Sequence, residues 1–132
     1  MKNWSKYLFL FSVLVMFTSC ETDNVGDSIV GTWRCNEESS TVPYRQYSVN
    51  IDRYSDIDTT LFVIYNFHNL GIEVETYIRL NDTIVSFVGT NNYYNVSGKG
   101  AVTKDLRYIE WEYSISGSNV NDNYVRALYF RK

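Results

Sequence analysis

The chain has 132 residues, a formal net charge of −3, and 45% hydrophobic and 17% aromatic residues. That length holds a single domain built on one core. The acidic balance speaks against nucleic acid and against electrostatic adhesion to anionic lipid, since both favour basic patches.

The first twenty residues have a separate character. Lys2 and Lys6 form a short basic start, and an apolar run from Tyr7 to Phe17 follows it. Thr18-Ser19-Cys20 then places small residues just ahead of a cysteine. A charged start, a short apolar middle and a small-residue cleavage site make a secretory signal, and the run is too short to span a bilayer. The segment resembles the lipobox of bacterial lipoproteins, with Phe17 where that family usually has Leu. The resemblance implies a signal peptide over 1–19, cleavage before Cys20 and lipid (palmitate among the acyl chains) on that residue. It also implies a place in the outer membrane of the cell envelope, on either of its faces. Two or more acyl chains suffice for stable attachment, so the expected membrane contact is the N-terminal anchor alone. Cleavage leaves ten basic residues against fifteen acidic ones in the mature chain. It also leaves Cys35 without a disulfide partner. Cys35 reads as a small buried hydrophobe, with a reactive thiol as the alternative. Residues 20–27 are expected to be the lipidated cysteine and a polar tether, and 28–132 the folded domain.

From Ile29 onward Tyr, Val, Ile, Thr and Phe dominate, side chains that suit a pleated, half-buried surface, and no helical stripe stands out. Strands are expected over 29–36, 43–53, 60–68, 71–80, 83–88, 93–103, 107–116 and 124–131. In residues 72–80 the even positions are apolar or Thr, and in 109–115 Glu110, Glu112 and Ser114 alternate with Ile109, Trp111, Tyr113 and Ile115. One wet face and one dry face is the mark of antiparallel sheets. Asn69-Leu70-Gly71, Asn81-Asp82 and Ser116-Gly117-Ser118-Asn119 supply turn formers between strands. Gly98 and Gly100 fall on one face of the sixth strand, as where a strand curls or another group approaches closely. Many short strands joined by short turns predict an all-β sandwich or barrel.

Gly31-Thr32-Trp33 opens the first strand. It resembles the Gly-x-Trp signature of lipocalins and other calycins, eight-stranded antiparallel up-and-down barrels in which the Trp packs against a basic side chain of the last strand. The resemblance assigns barrel closure to Gly31 and Trp33 with Arg126 or Arg131. Residues 65–71, 94–100 and 109–113 also resemble small calycin-like lipoproteins of Gram-negative bacteria. This chain is shorter than typical lipocalins, with no paired disulfide.

Catalytic chemistry finds little footing. Nucleophilic catalysis needs a nucleophile, a base and an orienting group, and the one histidine, His68, reads as a strand-end polar residue. One His and one buried Cys do not make a zinc site. The acids Asp52, Asp56 and Asp58 lack EF-hand spacing. Glu110 with Glu112, and Glu73 with Glu75, fall on the face opposite the apolar residues and read as a solvated outer wall. The expectation is a non-enzymatic binding or interaction module with no cofactor and no metal. Its candidate contacts are Tyr65, Trp111, Tyr113, Tyr93 and Tyr94, facing a glycan, a peptide or an envelope protein. Two alternatives remain: a carrier with a small apolar ligand among Leu61, Val63, Tyr65, Ile72, Val74, Ile78, Trp111 and Tyr113, and an inhibitor of a secreted protease.

Overall fold

The computed structural model describes residues 25–91 and 94–131; the signal segment, Cys20 and Tyr93 lie outside them. After a short helix α1 (Val25–Ile29) come eight strands: β1 (Gly31–Ser39), β2 (Arg45–Arg53), β3 (Leu61–Tyr65), β4 (Glu75–Asn81), β5 (Ile84–Thr90), β6 (Tyr94–Val102), β7 (Tyr108–Gly117) and β8 (Asn121–Phe130). Each pairs antiparallel with the next, and β1 pairs with β8, closing the barrel. Closure removes the exposed sheet edges that invite aggregation.

The side-chain parity of β4 and β7 follows the alternation of the sequence. Val74, Thr76, Ile78 and Leu80 are buried, as are Ile109, Trp111, Tyr113 and Ile115, while Glu110 and Glu112 face solvent. Three expectations are corrected. In β3, Phe62 and Ile64 point inward, whereas Leu61, Val63 and Tyr65 have the opposite parity, Val63 covered at 3% exposure and Leu61 and Tyr65 half-buried. Phe62 sits opposite Arg53 and Ile78, and Ile64 opposite Ile51 and Thr76, so the pairing with β2 and β4 sets the parity of β3. Ile72 is 78% exposed, because β4 begins only at Glu75 and residues 70–74 form a loop. The stretch read as tether is helical from Val25, and α1 lies across one end of the barrel with Ile29 fully buried.

Gly98 and Gly100 face inward on β6. A Cβ on Gly100 would stand 2.6 Å from the Trp111 ring, and one on Gly98, where φ is +145°, would collide with the Glu112 carbonyl. Two missing side chains on β6 thus make room for two large ones on β7. The interior is filled: Trp33, Trp111, Tyr129, Phe62 and Phe67 are each less than 2% exposed, and aliphatic side chains pack between them.

Candidate binding surface and buried polar latch

At the end where α1 meets the close of β8, the closure is aromatic and cationic. The Trp33 indole N–H donates to the Ile29 carbonyl at 2.8 Å. Arg131 lies 4.1 Å from the centre of the Trp33 ring, and its Nη2 donates to the Val30 carbonyl at 2.7 Å. Gly31 takes a φ of +123° at this junction. Arg126, the other candidate, is on the outer wall, because it alternates along β8 with Val125, Ala127 and Tyr129, which point inward. Arg53 stacks over Phe62 and pairs with Asp27 of α1.

The opposite end is closed by a 3-10 turn, Phe67–Asn69, which drops two side chains into the barrel. Asn66, His68 and Asn69 all have positive φ. Asn66 holds the turn by donating to the Ser48 carbonyl at 2.8 Å and accepting from the Gly71 N–H at 2.9 Å. Phe67 packs against Phe87, Trp111 and Tyr113. His68, read from sequence as the polar end of a strand, is instead 3% exposed and central to a polar network. Its Nδ1 is 2.8 Å from the Tyr113 hydroxyl and 3.1 Å from Glu37 Oε1, and its Nε2 is 3.2 Å from Asp122 Oδ2.

Glu37 gathers the donors. Arg45 Nε reaches Oε1 at 2.7 Å, while the Tyr47 and Tyr113 hydroxyls reach Oε2 at 2.5 and 2.7 Å. Burial by itself raises its pKa. Hydrogen bonds from His68 and Tyr47, the His68 charge and the Tyr113 hydroxyl outweigh that cost and hold the carboxyl at about 2. Asp122 is likewise lowered: against the cost of burial stand the hydroxyls of Thr41 and Ser39, the His68 charge and the Ser40 hydroxyl. Burial raises the Tyr47 and Tyr113 phenols well above their ordinary range, and pushes the Cys35 thiol up to about 12. Five segments that are distant in sequence therefore meet in one ionic latch. The imidazole and its two carboxylates are turned on one another, and all three side chains are buried. Sequence reasoning missed it, although Glu37 continues the inward parity of Trp33 and Cys35.

The candidate contacts divide. Trp111 and Tyr113 are core residues, and Tyr94 is half-buried against that core. Tyr65 stands on the outer wall near Tyr77, whose ring lies 4.8 Å from that of Tyr54. Among the described residues no three His, Cys, Asp or Glu side chains are grouped to hold a metal.

A groove of about 630 Å³ runs over the outer wall of β5, β6, β7, β8 and β1. Across it, cross-strand register sets Lys99 beside Glu112, Glu112 beside Arg126, and Arg126 beside Glu38. The next row places Ala101 beside Glu110 and Glu110 beside Leu128. The first row alternates in sign, yet the ion pairs among the described residues involve none of its four members. Exposed Tyr44 and Ile84 flank the groove.

No family model matches the chain, and no curated protein is similar to it in sequence. Solved structures are similar in fold. A redesigned β-barrel superposes with a TM-score of 0.55 at 11% identity, covering 82% of this chain and 95% of that one. A de novo designed fluorescence-activating β-barrel gives 0.54 at 14% identity, covering 82% and 97%.

Proposed function

We propose that this chain is a lipid-anchored, non-enzymatic interaction barrel of calycin type in the bacterial outer membrane, which meets its partners through its outer wall. The observation that carries this reading is the filled interior. A carrier needs a pocket of at least about 300 Å³, whereas here the largest side chains fill the barrel and the broad concavity lies outside it. Arg131 over Trp33, behind Gly31, is the closure expected of a calycin and supports that part of the reading. In favour of a non-catalytic role, the one imidazole and both its carboxylates are spent on joining β1, the 3-10 turn and β8. For the anchor the support is the order of residues 1–20.

Two measurements test this. A thermal-shift screen of fatty acids, bile acids, haem and flavins should be flat; a ligand at 100 times its Kd would add about 2.7 kcal/mol of stability, and such a rise would restore the carrier. Labelled palmitate should enter the full chain in cells and be absent from Cys20→Ala. Label persisting in that variant would refute the anchor.

A further inference from the structure

We propose that the groove on the outer wall is the contact face for a second copy of this chain. The inference rests on the outer wall being the docking surface, and goes beyond it by naming the occupant.

The charge order Lys99, Glu112, Arg126, Glu38 runs plus, minus, plus, minus across β6, β7, β8 and β1. Such an order is complementary to its own reversal. A two-fold axis lying between the two walls, parallel to the strands and midway between β7 and β8, performs that reversal. It sets Lys99 against the partner's Glu38 and Glu112 against the partner's Arg126, each contact occurring twice, as an isologous interface requires. The other in-plane axis, across the strands, would set each charge against itself. Charge therefore selects one dimer geometry from the two available. These side chains do not pair within their own wall, which leaves them free to pair across an interface. They are long and stand up from a groove floored by Ala101 and Leu128, so two facing grooves have room for both sets to interleave. Tyr44 and Ile84 add exposed apolar area at the margins. Glu110 faces the partner's Leu128 in this register and is the acid left without a counter-charge.

The register predicts a pattern of variants that only this pairing produces. Arg126→Glu confronts acid with acid at the two central contacts, and Glu112→Arg confronts base with base. A mixture of the two variants, like the double variant Glu112→Arg/Arg126→Glu, has opposite charges at all four contacts. All the positions are exposed, where substitutions rarely disturb folding, and circular dichroism checks each variant.

The test is sedimentation equilibrium of the chain from Glu21 to Lys132, which holds the whole closed sheet and its core. The expected result is a reversible dimer that weakens with salt. Each single variant should weaken it at least tenfold. The mixture and the double variant should recover it, and Glu110→Gln should tighten it. A wild type that stays monomeric up to about 1 mM overturns the dimer, and single variants that weaken it without rescue overturn this register. Neither result touches the filled-barrel reading, whose failure would show instead in the ligand screen.

Discussion

Replacing Glu37 by Gln keeps the shape of the side chain and removes its charge. The carboxylate is 1% exposed and accepts from Arg45, Tyr47 and Tyr113, with the His68 ring 3.1 Å away. Gln presents one acceptor oxygen and an N–H2 that must point at donors. Breaking a buried ionic pair by removing one partner costs about 3–5 kcal/mol, a large part of the 5–15 kcal/mol typical of a domain. A second route gives a similar size. The Glu37 pKa falls from 4.5 to about 2, and one pKa unit is worth about 1.4 kcal/mol, so ionising this group in the fold contributes on the order of 3 kcal/mol. Its folded pKa is depressed, so the contribution is complete above about pH 4.5 and is lost as the pH falls towards 2. Urea unfolding followed by tryptophan fluorescence, from pH 7 to pH 2, measures both effects. Glu37→Gln should be less stable by about 3 kcal/mol or more at pH 7, and its acid limb should be shallower than that of the wild type. Asp122, lowered as well, keeps part of the slope in both proteins. A loss under about 1 kcal/mol at pH 7, or acid limbs of equal steepness, would refute the latch.

Arg131→Ala should cost about 1–2 kcal/mol through the lost ring contact and hydrogen bond, lowering Tm by several degrees. Arg126→Ala, on the outer wall, should shift monomer stability by less than about 0.5 kcal/mol; equal effects would mean that closure is misassigned. Gly98→Ala meets both a backbone collision and a positive φ, while Gly89→Ala meets open space, so the first should lose well over 1 kcal/mol in urea unfolding and the second almost nothing. Cys35 should resist alkylation until the protein unfolds, because its thiol is buried and its pKa is near 12; rapid labelling of the native protein, followed by mass spectrometry, would contradict this.

The parts of the fold legible in sequence were those in which one strand face is wet. Glu110 and Glu112 between Ile109, Trp111 and Tyr113 leave no doubt about which side is inside. β3 carries no such information: Leu61-Phe62-Val63-Ile64-Tyr65 is apolar throughout, and a run without alternation does not choose a face. Only pairing with β2 and β4 turns Phe62 and Ile64 inward. The latch was hidden for another reason. Its members are spread from Glu37 to Asp122, and no short motif joins them. Both of those acids fell just beyond expected strand ends, at 36 and 124, where charged residues look like turn positions. Carrying the parity of Trp33 and Cys35 two residues further would have placed a carboxylate in the core. A buried carboxylate calls for donors, and His68, Tyr47 and Tyr113 then become candidates.

The pairing of β1 with β8 also sets a timetable. Arg34 through Ser39 find their partners in Val125 through Phe130, almost the whole length of the domain away. Loops of that length must close before such contacts repay the entropy. Six strands separate in sequence what the sheet puts side by side, so β1 has one edge unmatched until β8 docks against it. Glu37 waits in the same way for Tyr113, and His68 for Asp122. A sheet without β8 therefore keeps two unpaired edges and an unfinished latch, and both are completed in the one step that joins β8 to β1 and β7.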